Sequence, residues 1–310
     1  MKVDEVIKKA DEYISFLDGK IERLKAQERK DELLKRYNGE DKVVSWKELE
    51  EVVKNGKPIE KFKSGMEQFD NSLRGGIELG RLISFSASSK SGKTTFCIDL
   101  MRKYHDYNPC MIVLEQPAEE LIREQLYYGN EIPLIYSPKT FNKVTIKWIE
   151  ERIIESYLKY GTKVVVIDHL DFIDKNEKVN NKHLQIQEVM EELKLMTRRL
   201  NITIFLIVHI NKLPPEEKPN YFHLAESSST YKLSDITIML WRESIKVGTN
   251  IEYSGLVNLS IELSRQGGSG DNIKLIFNKG QYREADTMEK VEADDRIKDL
   301  KAQQKKKYEV

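Results

Sequence analysis

Apolar residues recur with helical spacing at the start of the chain. Val3, Ile7, Ala10, Ile14, Leu17, Ile21 and Leu24 alternate steps of four and three, the a/d seam of an amphipathic helix. The seam fails at Glu28 and Asp31, and a Gly at position 19 costs the helix roughly 1 kcal/mol relative to Ala. Two fates suit such a stripe: docking on a neighbouring subunit, or packing on the chain's own domain. Asn38-Gly39 is a stop signal. Ser45-Trp46-Lys47-Glu48 then reads as a capping box opening a short helix, which Asn55-Gly56-Lys57-Pro58 ends.

The pattern changes near residue 60. Short apolar runs at Leu82–Phe85, Met111–Leu114, Val164–Ile167, Thr203–Val208, Ile236–Leu240, Val257–Leu263 and Ile273–Phe277 read as strands. Helical patterns follow Gly92, Pro117, Thr145 and Asn181. This alternation predicts an α/β fold with a mostly parallel central sheet and helices on both faces. The last two strands are joined by Ser264-Arg265-Gln266-Gly267-Gly268-Ser269-Gly270, a hairpin-like turn. The predicted division is a helical N-terminal extension over 1–60, an α/β domain over 61–287, and a charged C-terminal tail over 288–310, read as solvated helix or tail.

Composition narrows the function classes. Lys+Arg and Asp+Glu both total 51, so global charge points to no partner, and a nucleic-acid site has to be a local patch. Cys97 and Cys110 sit in helical and strand patterns, as small core residues of a reducing compartment. Met1 opens onto charged helix rather than an apolar leader, and no apolar run is long enough for a membrane span. A cytoplasmic enzyme is the expectation.

The densest chemistry is at Ala87-Ser88-Ser89-Lys90-Ser91-Gly92-Lys93-Thr94-Thr95, directly after a strand. The pattern is that of a phosphate-cradling P-loop with Ala in place of its first Gly. Gly92 leaves the bend free of a Cβ, Lys93 reaches the β- and γ-phosphates, and the Thr94 hydroxyl ligates Mg²⁺. The helix N-terminus adds backbone N–H donors and the positive end of its dipole. ATP and Mg²⁺ are the expected cofactors. Lys163–Asp168 is an apolar strand with an acid at its carboxyl end, where a Walker B carboxylate meets the metal shell. Cys110–Glu115 is a second such strand, and a carboxylate there can polarise the water attacking the γ-phosphate.

Together these stretches resemble the RecA-like ATPase domain of DnaB-type replicative helicases, including the helicase half of phage helicase-primases. Gly65–Asp70 and Gly75–Gly80 resemble the lead-in to the P-loop. The Ala that starts the loop, Leu114-Glu115-Gln116-Pro117, and Val166–Ile173 resemble three further motifs. Arg199–Ile202 into Val208-His209-Ile210-Asn211-Lys212 resembles the strand whose polar tip senses γ-phosphate, with His where DnaB commonly has Gln. Leu224–Ser229, Leu233-Ser234-Asp235 and the Ser264–Gly270 turn resemble the last motifs.

The resemblance implies roles residue by residue. Glu115, His209 and Arg265 are the catalytic set: Glu115 activates water, His209 couples γ-phosphate to the adjoining loop, and Arg265 reaches a neighbour's nucleotide in trans. Residues 87–95 bind nucleotide, and Thr94 and Asp168 serve the metal. The loop from Asn211 to Asn220 carries Lys212 and Lys218 toward single-stranded DNA, although Glu216 and Glu217 cancel that charge. A homo-hexameric ring translocating on DNA during replication, with a primase or loader as a further partner, is the implied assembly. Ala225, Ser228 and Leu263 depart from the family's usual Arg, Gly and Lys, which weakens the case for processive unwinding more than that for hydrolysis. A RecA/RadA-like recombinase, a KaiC-like ATPase, and a helicase-loading or regulatory ATPase remain the alternatives.

Overall fold

The computed structural model describes residues 3–36, 39, 42–56, 58–87, 91–140, 143–173, 182–210, 213–214, 217–224, 227–247, 250–268 and 272–308. The chain forms two compact units, with the boundary between Pro58 and Ile59.

The first unit is helical. α1 spans Val3–Arg36 and α2 spans Trp46–Asn55. On α1 the seam residues Val3, Ile7, Ile14, Ile21 and Leu24 are all exposed. The capping box forms as the sequence predicts: the Glu48 backbone N–H donates to Ser45 Oγ at 3.2 Å, and the Ser45 N–H donates to Glu48 Oε1 at 3.2 Å. Hydrogen bonds from the Ser45 hydroxyl first, and from its backbone N–H second, hold the Glu48 carboxyl below the usual carboxylate range.

The second unit is an eight-stranded sheet with helices against both faces. In chain order the elements are β1 Lys61–Phe62, α3 Glu67–Ser72, β2 Ile77–Glu78, β3 Leu82–Ala87, α4 Lys93–Lys103, β4 Cys110–Val113, α5 Ala118–Tyr127, α6 Ile146–Tyr160, β5 Val164–Asp168, α7 Lys182–Arg199, β6 Thr203–His209, α8 Ser227–Leu233, β7 Ile236–Val247, β8 Asn250–Ser264, β9 Asn272–Asn278, β10 Gln281–Glu284 and α9 Thr287–Tyr308. β1 and β2 pair separately, and the large sheet has the order β10-β9-β8-β7-β3-β6-β5-β4. The pairs from β7 through β4 are parallel, while β8, β9 and β10 are added antiparallel. The expected α/β architecture is therefore present.

Alternating apolar residues build a core on each face. Ile83, Phe85, Val164, Val166, Phe205 and Ile207 point to one side, with Phe96 and Tyr104 of the α4 region. Leu82, Val165, Ile167, Ile204 and Leu206 point to the other, with Ile149 and Ile153 of α6 and Ile186, Met190 and Leu193 of α7. Phe85 and Phe96 stack at 5.2 Å between ring centroids, fastening the phosphate-loop strand to the helix it feeds. Each fully buried aliphatic or aromatic side chain contributes about 1.5–3 kcal/mol.

Three features differ from the sequence expectation. The β7–β8 hairpin extends well beyond the apolar runs, because its outer half is only partly buried and Arg242-Glu243-Ser244 breaks the apolar pattern at a register shift. β10 and α8 add elements too short to carry a pattern. The segment after Met288 is not a wholly solvated tail. α9 buries Ala293, Ile297 and Leu300 against the sheet, where Ile297 and Leu300 meet Ile245 and Val247, and Ala293 meets Leu256. Steps of four and three place those side chains on one stripe of a helix whose other positions are mostly charged or polar.

Candidate nucleotide site

The parallel strands carry their carboxyl ends to one edge of the sheet, where an open α/β sheet places its ligands. The register puts Ala87 of β3 opposite His209 of β6, and Val113 of β4 opposite Asp168 of β5. Four strand ends thereby bring the predicted Walker A, Walker B and sensor residues together.

Ala87 is buried at the tip of β3. Ser88, Ser89 and Lys90 lie outside the described residues, as do Lys212, Glu216 and Ala225. Ser91 is buried, and Gly92 caps α4 with φ +83°, in the left-handed region that favours glycine. A Cβ at this position would lie 2.4 Å from the Tyr282 hydroxyl. That hydroxyl donates to the Gly92 carbonyl at 3.3 Å, and the Tyr282 ring packs edge-on against Phe96 at 5.1 Å. Tyr282 is thus a support of the loop that sequence reasoning missed. No motif marks it, because only the antiparallel addition of β10 beside α4 brings it there.

Lys93, Thr94 and Thr95 form the first turn of α4. The Thr94 hydroxyl donates to Asp168 Oδ2 at 2.7 Å. Asp168 is buried, and its other oxygen, Oδ1, has no hydrogen-bond partner among the described residues. Burial pushes the Asp168 carboxyl above the usual range, with the Thr94 hydrogen bond opposing it and Glu115 adding to it. Burial likewise lowers Lys93, more than Asp168 and Glu115 raise it. An orphaned carboxylate oxygen beside a threonine hydroxyl, a helix N-terminus and a half-buried lysine are the donor set that a phosphate with a hard divalent cation requires. The residues present fit ATP·Mg²⁺.

Lys93 Nζ lies 3.1 Å from His209 Nδ1. His209 Nε2 lies 2.8 Å from His169 Nε2, with the two rings edge to face at 4.0 Å. His169 Nε2 is 3.7 Å from Glu115 Oε2. His169 therefore stands between the predicted sensor, which it contacts, and the predicted water-activating carboxylate. Its own pKa is lowered to about 4, by burial first and by His209 second, so the ring is neutral near pH 7. The signal was present in the sequence, since His169 follows the Walker B acid, but an imidazole there has no role until the strand ends converge.

Arg265 lies elsewhere. It follows β8 at the end of the sheet where β7 begins, because Ser264 pairs with Ile236 and Ile236 aligns with Ile83 of β3. β3 runs six residues from that edge to the phosphate loop, about 20 Å at strand rise. The guanidinium donates to the Lys232 carbonyl at 2.5 Å, and the backbone N–H donates to the Asp235 carbonyl at 2.9 Å. The next residue, Gln266, donates to the Leu73 and Gly76 carbonyls at 2.8 and 2.7 Å. Gly268 sits so close that a Cβ would lie 1.7 Å from the Ser72 carbonyl oxygen. The turn is thereby locked onto the lead-in segment.

Lys218 sits on an exposed loop with its ammonium 5.1 Å from the Trp241 ring centroid, a cation–π arrangement. Glu217 beside it lies 3.2 Å from His223 Nε2. Among the described residues, no helix is long and apolar enough to cross a membrane.

Comparison with known proteins agrees with this geometry. The family described as the DnaB-like helicase C-terminal domain matches residues 130–285, half of the chain. The replicative DNA helicase DnaB of Leifsonia xyli is 24% identical over 251 residues, covering 71% of this chain and 54% of that protein. The replicative DNA helicase DnaB of Pasteurella multocida is 21% identical over 285 residues, covering 80% and 60%. The chain thus spans little more than half the length of these relatives. Among solved structures, an isolated ATPase domain has a TM-score of 0.64 at 18% identity, covering 77% of this chain and 96% of that one. A DnaB-like replicative helicase studied for its interactions with primase has a TM-score of 0.66 at 18% identity, covering 89% and 77%. The shared fold is the RecA-like helicase ATPase domain. By the family match, and with its motifs in register at one sheet edge, the chain belongs to the DnaB-like helicase C-terminal domain family.

Proposed function

We propose that the chain is an ATP-hydrolysing DNA helicase of the DnaB-like class, working as a homo-hexameric ring on single-stranded DNA during replication. The observation that carries this reading is the convergence of Lys93, Thr94, Asp168, Glu115 and His209 on one edge of the sheet, linked from Thr94 to Asp168 and from Lys93 through His209 and His169 to Glu115.

Bound ATP·Mg²⁺ supplies the transferable phosphoryl group and the cation that neutralises it. The chain's own residues do the rest. Residues 87–95 hold the phosphates, with Lys93 as the point charge. Thr94 and Asp168 hold the cation and its water. Glu115, half exposed just beyond the end of β4, takes a proton from the attacking water. His209 contacts the γ-phosphate side and passes its presence to the loop that follows β6. Arg265, remote from its own chain's loop, enters the next subunit's site, which requires a head-to-tail interface. Lys218 and the loop around it face single-stranded DNA. The exposed seam of α1 and the exposed apolar residues of α2 serve subunit association. A primase or loader is a further partner, and the bacterial relatives support a cytoplasmic setting.

The test is ATP hydrolysis with and without single-stranded DNA, together with unwinding of a forked duplex and negative-stain imaging with nucleotide. DNA-stimulated hydrolysis and rings are expected. Filaments on DNA would favour a recombinase, and absence of hydrolysis without a partner protein would favour a regulatory ATPase.

A further inference from the structure

Among the described residues, Glu115, His169 and His209 form the one group of three His, Cys, Asp or Glu side chains whose ligand atoms lie within 4.8 Å of one another. The three come from the ends of three adjacent strands, β4, β5 and β6. We propose that they form a second cation site, distinct from the Thr94–Asp168 pair, that takes a borderline divalent transition ion such as Zn²⁺ and holds the ATPase inactive while it is bound.

The chemistry of the donors selects the ion. Two imidazoles and one carboxylate suit Zn²⁺ and its first-row neighbours, whereas Mg²⁺ prefers oxygen and an octahedral shell. Zinc–nitrogen bonds of about 2.0–2.1 Å at tetrahedral angles set two imidazole nitrogens about 3.3 Å apart. The His169 and His209 Nε2 atoms are 2.8 Å apart with the rings edge to face at 4.0 Å between centroids, so admitting the ion takes a spread of roughly half an ångström and a turn of the rings that aims both lone pairs at one point. Glu115 Oε2, 3.7 Å from His169 Nε2, supplies the third donor. Its half-exposed side chain leaves the fourth position to water.

The groups for an outer shell lie beside His169. The Asp171 backbone N–H donates to His169 Nδ1 at 3.3 Å, and the Asp171 carboxylate Oδ2 lies 3.6 Å from the same nitrogen. Metal binding at Nε2 would shift the ring proton to Nδ1 and exchange the backbone donor for the nearby carboxylate as its partner, the arrangement found behind many zinc-bound histidines. The neighbour that opposes binding is Lys93, 3.1 Å from His209 Nδ1. Its ammonium repels a cation and competes for the His209 ring, so removing it should tighten the site.

Ion binding stands on this geometry alone; the consequence for hydrolysis rests on the roles proposed for Glu115 and His209. A metal that takes the lone pairs of both leaves no base for water and no contact for γ-phosphate.

The experiment uses the tag-free full chain with Co²⁺ as a spectroscopic stand-in for Zn²⁺, without nucleotide or Mg²⁺. Titration should give one Co²⁺ per chain with the visible absorption of a nitrogen-ligated ion, displaced by Zn²⁺. His169→Phe and, at the half-exposed position, Glu115→Ala should each weaken binding at least about tenfold. Thr94→Ala should leave it within about twofold, since Thr94 serves the other site, and Lys93→Met should strengthen it by removing the ammonium 3.1 Å from His209 Nδ1. In a separate assay, Zn²⁺ should inhibit ATP hydrolysis at saturating Mg²⁺, with a chelator restoring it. Co²⁺ affinity unchanged in both His169→Phe and Glu115→Ala, or lost in Thr94→Ala, would overturn the site. Co²⁺ bound at this triad with hydrolysis unaffected would keep the site and overturn its inhibitory role and the assignment of Glu115.

Discussion

The Thr94 hydroxyl donates to Asp168 Oδ2 at 2.7 Å, across the gap between the phosphate-loop helix and the end of β5. The bond satisfies one oxygen of a buried carboxylate and leaves Oδ1 without a partner among the described residues. Burial raises the pKa of the carboxyl placed there, and a bound cation would offset the cost of its charged form.

Asp168→Asn should separate stability from activity. Burial raises the Asp168 pKa, so the folded chain binds that proton more tightly than the unfolded chain, and the ionised form subtracts from stability as pH rises above the ordinary carboxylate value. Removing the charge should therefore raise the metal-free Tm at pH 7, while Mg²⁺-dependent hydrolysis falls by at least about 10²-fold. Calorimetry without Mg²⁺ and a steady-state ATPase assay check both halves. A lowered Tm would show that contacts other than a metal offset the burial of the carboxylate.

Lys93 and Glu115 should fail in different ways. Lys93→Ala removes a charge that acts on bound nucleotide in the ground state, so nucleotide affinity should drop. Glu115→Gln keeps shape and polarity but removes a base needed only in the reaction. It should bind ATP·Mg²⁺ normally and lose about 10²–10⁴-fold in kcat. Fluorescent-nucleotide titration and steady-state turnover on each variant read the split. Near-normal turnover in Glu115→Gln would remove that residue from the site.

Much of this site was legible in the sequence, for a physical reason. The phosphate loop, Asp168, Glu115 and His209 each end an apolar strand, and a parallel sheet brings all its carboxyl ends to one edge. Reading the strands was therefore enough to expect the residues to meet. His169 and Tyr282 were not legible in the same way. His169 acquires meaning from a 2.8 Å approach to a residue forty positions on. Tyr282 depends on where the antiparallel strands fold back, which no local pattern encodes. The burial of α9 was missed because its apolar stripe is three residues wide in a charged sequence, and only the surface it meets reveals it.

The N-terminal unit yields a prediction about assembly. The seam of α1 is exposed along its length, and α2 exposes Trp46, Leu49, Val52 and Val53. Helices so charged, with narrow apolar stripes, bury those stripes in a groove rather than in a core of their own. Deleting residues 1–58, the first compact unit, should lower the oligomer mass by light scattering and leave a cooperatively folding domain that still binds nucleotide. A hexamer surviving the deletion would assign assembly to the sheet domain alone.

The role proposed for Arg265 would join assembly to catalysis. It sits at the opposite edge of the sheet from its own phosphate loop, on a turn pinned by Gln266 to the Leu73 and Gly76 carbonyls. The exposed guanidinium donates to the Lys232 carbonyl of its own chain, and the anchored turn keeps it away from its own phosphate loop. A guanidinium delivered in trans is worth about 10³–10⁵ in rate in other P-loop enzymes. Arg265→Ala should therefore assemble and bind ATP but lose most hydrolysis, and Arg265→Lys should rescue poorly, because the fixed fork matches phosphate oxygens. Mixing equal amounts of Arg265→Ala and Glu115→Gln chains should restore activity. In a head-to-tail ring, about a quarter of randomly mixed interfaces pair an intact Glu115 with a neighbour's intact Arg265. If Arg265 served its own subunit, no chain in the mixture would hold a complete site, and activity would stay at background. Subunit exchange, followed with labelled chains, fixes the reading: recovery that rises and falls with mixing ratio supports the trans assignment, and no recovery despite exchange removes it.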